Sequence, residues 1–275
     1  MNQKYTKKTL LLEILGILLA ILFLIPFYFV IINSVKSFAE ILIDAAALPK
    51  EVLFSNYSKV WNIINFPRAF WNSLIITVAS NIGIVIISSM AAWKMVRTPN
   101  KFNKILFIII VSAMVIPFQT VMIPLMKLGG TLGIVNSIPG LVIMYFGFGV
   151  PLSLFLYHGF VKSVPIEIEE AAKMDGCSQF GVFWRIVFPL LKPITITVII
   201  LNTLWIWNDY LLPLLVLQSP ELRTIPLATS SFFAQYTKQW DMGLAALVLG
   251  IAPVIVFFLF LQRHIIKGIA AGSIK

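Results

Sequence analysis

Charge and reactive side chains are scarce in this sequence. Its 275 residues include one cysteine, Cys177, and two histidines, His158 and His264, and Lys, Arg, Asp and Glu together make up 12%, against roughly 25% in an ordinary soluble domain. A single thiol excludes an intramolecular disulfide and any cysteine-built zinc or iron-sulfur framework. A membrane enzyme would need His, Asp or Glu clustered at ligand or nucleophile spacing, and two distant histidines do not supply it. No Gly-Lys dipeptide occurs, so there is no Walker A loop and ATP-driven work requires another chain. Basic residues never form a run, and the net charge of +10 therefore does not indicate nucleic acid.

What is abundant is apolar: AVILMFWYC make up 59% of the chain. These residues come in blocks of about 20, the length a helix rising about 1.5 Å per residue needs to cross about 30 Å of hydrocarbon. The sequence predicts an all-α polytopic membrane protein with six transmembrane helices, near residues 10–35, 70–93, 105–126, 138–160, 194–217 and 243–262. Pro151 interrupts the fourth, and Asn208, Asp209 and Pro213 the fifth, features that membrane helices tolerate when neighbours satisfy the freed backbone groups. With no low-complexity tract, repeat or soluble segment, residues 1–275 are expected to form a single transmembrane domain. Lys4, Lys7 and Lys8 precede an apolar stretch from Ile14 to Ile32, longer than a signal-peptide core of about 7 to 15 residues, so a retained first span is expected. Of the 21 Lys and Arg, 14 fall in one alternating set of segments and 7 in the other. Cytoplasmic loops carry the excess, which places both termini and the segments 94–104 and 162–192 in the cytoplasm.

The 161–193 loop is far longer than a turn between adjacent helices requires. Pro165 suits the first turn of a helix, Glu167, Glu169 and Glu170 favour its positive end, and Asp175-Gly176 is a stop with glycine just past the cap. Ser178 is placed to cap a second helix, in which Phe180, Phe183, Trp184 and Val187 recur at i, i+3, i+4 and i+7 before Pro189. This aromatic stripe packs beneath its own bundle, lies on the bilayer, or meets a partner. Cys177 reads as a small packing residue.

Glu170-Ala171-Ala172, three residues, Gly176, nine residues, then Ile186-Val187-Phe188-Pro189 resembles the EAA signature of membrane subunits of binding-protein-dependent ABC importers, with Phe188 in place of the pattern's Leu. Trp207-Asn208-Asp209, Asn72-Ser73-Leu74, the Pro117 to Pro124 region and the tail Gln262 to Lys275, with Gly268, Ala271 and Gly272, are similar to the shorter permease of maltose-type carbohydrate importers. The resemblance implies a type I ABC importer permease fold in a bacterial or archaeal inner membrane. It further implies a non-catalytic subunit that forms half of a sugar path beside a second permease, in a lipid bilayer. The implied partners are an extracytoplasmic sugar-binding protein, contacted by the loop Gln218 to Met242, and an ABC ATPase dimer. No cofactor is implied for this chain, since ATP and Mg belong to the ATPase. The expected coupling residues are Glu170, Ala171, Ala172, Asp175, Gly176, Phe180, Phe183, Ile186 and Pro189, with Glu170 and Gly176 foremost.

The expected translocation path takes Asp209, Asn208, Gln119 and Asn202. Asp209 is the only acid well inside an expected span, and an intramembrane carboxylate usually faces a cavity, a partner or a conduction path. A cap or kink in the fifth helix near the outer surface, assisted by Pro213, suits it better than substrate contact. Trp205, Trp207 and Tyr210 read as interface anchors. An ion-driven secondary transporter, the competing class, would show repeats and paired intramembrane ionisable groups, which this sequence lacks.

Overall fold

A computed structural model describes residues 7–233 and 239–273, with side chains for residues 8–233 and 239–259. Every regular element among the described residues is a helix. In order they form α1 (Lys7–Ser34), α2 (Phe38–Ile43), α3 (Ser55–Ile63), α4 (Phe66–Arg97), α5 (Lys101–Ser112), α6 (Phe118–Thr131), α7 (Ile138–Val161) and α8 (Ile166–Met174). There follow α9 (Gln179–Val182), α10 (Phe188–Leu190), α11 (Lys192–Asn208), α12 (Leu211–Val216), α13 (Ile225–Thr229) and α14 (Trp240–Ser273). Four helices, α1, α4, α7 and α14, are long and apolar enough to cross a membrane, and two bent pairs reach that standard jointly. Each of the six apolar stretches expected from sequence overlaps one of these helices or a bent pair.

The third stretch differs from a straight span. Its halves, Lys101–Val115 and Phe118–Thr131, meet at 107°. Proline disfavours the helical region for the residue before it, and Ile116 sits at φ −79°, ψ 116° ahead of Pro117. The fifth is also divided. α11 stops at Asn208 and the chain restarts as α12 at Leu211, while the segment Gln179–Leu190 leads into α11 through a 75° bend.

The chain divides into two compact units, residues 1–66 with 229–253, and residues 67–228 with 254–275. In the first unit, α1 is apolar on all sides and exposed from Lys8 to Phe29, as expected of a helix whose solvent is lipid. Its end is held by a polar cage. Lys36 is fully buried, and its ammonium donates to the Asp44 and Ala47 carbonyls. Asn33 donates to the Ala45 carbonyl at 2.9 Å and Asn56 to the Lys36 carbonyl at 2.8 Å. A buried ammonium without such acceptors would be strongly unfavourable. Asp44 accepts from the Ala46 and Ala47 amides, which hold its carboxyl below the ordinary range. Val60, Phe232, Ala245 and Ala246 form the unit's core.

The second unit packs α4, α7 and α11 together. Gly149 of α7 permits close approach, since a Cβ there would lie 2.4 Å from Ile84 Cδ1 and 3.1 Å from Asn202 Oδ1. One core of this unit comprises Ile76, Ile84, Leu141, Tyr145, Ile206, Leu212 and Val216. The other comprises Ala92, Trp93, Leu154, Tyr157, Val161, Val164, Val182, Phe183, Val187 and Leu191, and it carries the 161–193 loop.

Candidate functional site

The loop folds largely by local rules. Asp175 caps α8, and the next residues close a Schellman motif: the Gly176 amide donates to the Lys173 carbonyl and the Cys177 amide to the Ala172 carbonyl, both at 3.0 Å. Gly176 has φ +81°, and nothing lies within 4 Å of where its Cβ would stand. Its requirement is therefore the left-handed backbone and not a close approach. Ser178 then accepts from the Gly181 amide at 3.1 Å and starts α9.

The second helix is less regular than its sequence period suggests. After Val182 the chain widens into a π-turn over Phe183–Val187, with the Phe188 amide donating to the Phe183 carbonyl. Pro189 has no amide to donate and its ring would collide with the carbonyl of residue 185 in a regular α-helix, so a widened turn just before it relieves the conflict. The stripe divides accordingly. Val182, Phe183 and Val187 are buried, with Phe183 5.2 Å from the Trp93 ring. Burying side chains of this size contributes about 1.5–3 kcal/mol each and fastens the loop to the bundle. Phe180 points away and is 64% exposed.

Two adjacent glutamates have opposite fates. Glu169 is 1% exposed and Glu170 is exposed, as 100° of helical rotation dictates. Arg97, in the last turn of α4, donates from Nε to Glu169 Oε1 at 2.8 Å and from Nη2 to the Val164 carbonyl at 2.7 Å. Trp93 Nε1 donates to Glu169 Oε2 at 3.0 Å. Both carboxylate oxygens are thus engaged, and removing one partner from a buried pair costs about 3–5 kcal/mol. Sequence reading did not select Trp93 or Arg97. Arg97 had entered only as a charge in a cytoplasmic segment, and nothing in its local pattern separates it from Lys94.

The remaining coupling candidates gather on the outer surface of the loop. Ala171, Asp175 and Gly176 are exposed beside Glu170, Ala172 and Ile186 are half-buried, and Pro189 is exposed. Met174, 88% exposed, adds to this face. Phe183 lies apart from it, in the core.

The four translocation candidates do not converge. Asn202 is buried between helices, donating to Ser153 Oγ at 3.0 Å and to the Val198 carbonyl at 2.9 Å. Asp209 accepts from the Leu211 amide at 3.0 Å and from the Tyr145 hydroxyl at 2.9 Å, at the break between α11 and α12. Asn208 is exposed, its amide returned to the Leu204 carbonyl. Gln119 is exposed near the start of α6. Of the aromatics, Trp207 is buried against Phe70, while Trp205 and Tyr210 are 41% and 40% exposed.

On the opposite side of the second unit, side chains fix the segment after α12. Asn136, at φ +57°, accepts from the Gln218 and Ser219 amides and donates to Ser219 Oγ. Asn72 donates to the Glu221 and Arg223 carbonyls, and Ser73 Oγ accepts from the Ile225 amide. The Asn72-Ser73 pair noted in the sequence therefore serves to hold this loop. The side chains of the tail from Gln262 to Lys275 lie outside the described residues, as do residues 234–238 of the loop after α12.

Residues 83–271 match the family of binding-protein-dependent transport system inner membrane components. The chain belongs to this family. It is accordingly a multi-pass inner-membrane permease, a transport component that works with a solute-binding protein and an ATPase and performs no catalysis itself. Over 273 residues it is 45% identical to the probable starch degradation products transport system permease protein AmyC of Thermoanaerobacterium thermosulfurigenes, covering 99% of this chain and 97% of that protein. It is 34% identical to the melibiose/raffinose/stachyose import permease protein MelC of Bacillus subtilis over the full length of both. In fold it is similar, with a TM-score of 0.80 at 23% identity, to a chain from the crystal structure of a bacterial ABC transporter involved in the import of the acidic polysaccharide alginate, covering 95% of this permease and 99% of that chain.

Proposed function

We propose that this permease is one of two membrane subunits of an ATP-driven oligosaccharide importer, and that its 161–193 loop is the element on which the ATPase acts. The carbohydrate reading is supported by full-length relatives named for starch degradation products and for melibiose, raffinose and stachyose. The observation that carries the coupling role is the two-sided construction of the loop. Val182, Phe183, Val187 and Glu169 anchor it in the bundle, while Glu170, Ala171, Met174, Gly176 and Phe180 remain uncovered. Met174 and Phe180 leave large apolar side chains uncovered on a loop otherwise anchored in the bundle, which suits a surface that receives a partner. ATP and Mg bind on the partner ATPase, and closure of its dimer moves the loop. An ATP-dependent shift requires that the loop be held differently in the two states.

Six crossings with both termini in the cytoplasm fit the charge distribution and place the segment after α12 outside, facing the sugar-binding protein. α1, exposed from Lys8 to Phe29, is assigned to lipid and to the second permease. Among the path candidates, the exposed Gln119 and Asn208 are assigned to the sugar route, Asn202 to helix packing and Asp209 to the break in the fifth span.

The test is affinity purification of the tagged permease from its native membrane, identification of stoichiometric partners, and uptake of labelled maltotriose, raffinose and stachyose by proteoliposomes holding the assembly. The expected result is a second permease and a Walker-motif ATPase, with uptake that needs internal ATP. Uptake by this chain alone, driven by an ion gradient, would overturn the reading.

A further inference from the structure

We propose that Arg97, Trp93 and Glu169 form a rigid link that carries motion of α8 directly into α4. The inference rests on the reading of the loop as the coupling element.

Three observations carry it. Arg97 grips α8 at two separated points, the Val164 carbonyl just before the helix and the Glu169 carboxylate one turn inside it. Two attachment points fix orientation as well as position. Trp93 supplies a third bond, to the other carboxylate oxygen, from one turn earlier on α4, and its ring packs on Phe183, so the segment after the Schellman turn is tied to the same helix. The contact is buried on the glutamate side and nearly so on the arginine side, at 1% and 15% exposure, so it is little screened by salt. A surface pair of the same length would contribute little. Glu170, one residue on, is free to meet the partner, so the doublet Glu169-Glu170 separates anchoring from recognition.

Each member is a positioning residue, because none touches ATP or sugar. The readout is sugar transported per ATP hydrolysed, in proteoliposomes holding the whole complex, with maltotriose or whichever sugar of the uptake panel gives a wild-type signal. Arg97→Lys retains charge without the fork, and Glu169→Gln retains shape without charge. Both are expected to assemble and hydrolyse ATP while the ratio falls at least about tenfold, within the usual range of coupling between sites. Exposed Glu167→Gln serves as the control and should match wild type. A purely structural role would lower the amount of complex and leave the ratio of what assembles unchanged. A second readout places spin labels at Lys94 and Glu167, both exposed, in a Cys177→Ala background. Their separation should stay single and constant through the ATP cycle in wild type and should broaden in Arg97→Lys. A wild-type ratio and an unbroadened separation in both Arg97→Lys and Glu169→Gln would overturn the link. A wild-type complex that shows no ATP-dependent uptake would instead overturn the transport reading beneath it.

Discussion

The Tyr145 hydroxyl donates to Asp209 Oδ2 across 2.9 Å, joining the second turn of α7 to the point where α11 gives way to α12. The other carboxylate oxygen accepts from the Leu211 amide. Asp209 thus terminates one helix and starts the next, and Tyr145, fully buried and edge-on to Trp205, holds it there. An acid inside an apolar stretch is here part of the backbone's hydrogen-bonding arrangement.

Asp209→Asn should therefore be mild, because asparagine caps as well as aspartate. Uptake within about threefold of wild type is expected, since the amide oxygen can still accept from the Leu211 N–H and the amide nitrogen can donate to the Tyr145 hydroxyl oxygen. Asp209→Leu removes the cap and should lower the thermal midpoint of the purified complex. Abolished uptake in Asp209→Asn with the complex intact would assign Asp209 to the sugar route.

Phe180 and Phe183 differ by three positions and should fail differently. Phe183→Ala opens a cavity in the core and should cost about 3–5 kcal/mol, seen as reduced abundance in the membrane. Phe180→Ser leaves the fold intact and should instead reduce ATPase association. Equal abundance and equal association for the two variants would contradict the two-sided loop.

At Gly176, alanine meets no neighbour, so its penalty is the left-handed backbone alone, about 1–2 kcal/mol. Gly176→Asn should be milder, since asparagine tolerates that region. The ordering of transport activity is expected to be glycine, then asparagine, then alanine. If alanine equals wild type, the turn is not essential to coupling.

Asn136 combines a positive φ with side-chain bonds to the segment after α12. Asn136→Gly relieves the backbone but loses the bonds, so it tests the side chain by itself. It should raise the concentration of sugar-binding protein needed for half-maximal ATPase stimulation while leaving the maximal rate nearly unchanged. A fall in maximal rate at unchanged half-saturation would contradict the docking assignment of this loop.

Features governed by local chemistry were legible in the sequence. The start at Pro165, the stop at Asp175-Gly176 and the Ser178 cap depend only on residues within one turn, and the structure places them as expected. Pro117 lay inside an apolar stretch that reads as continuous, and its effect on Ile116 is also local, but hydropathy averages over it. Glu169 against Glu170 was not legible, because both satisfy the same helix and only the position of α4 decides which is covered. Trp93 and Arg97 remained hidden for the same reason, lying 76 and 72 residues from their partner. The translocation candidates were chosen as polar groups in apolar surroundings, a criterion that does not separate Asn202, engaged between helices, from Asn208, exposed.

The most direct measurement is site-specific photo-crosslinking from position 174, the most exposed large apolar side chain of the loop at 88%, in cells expressing the complete transporter. The account predicts one dominant adduct with an ATPase subunit, whose yield changes when ATP hydrolysis is arrested. Adducts to lipid alone, with the ATPase present in the membrane and transport intact, would contradict it.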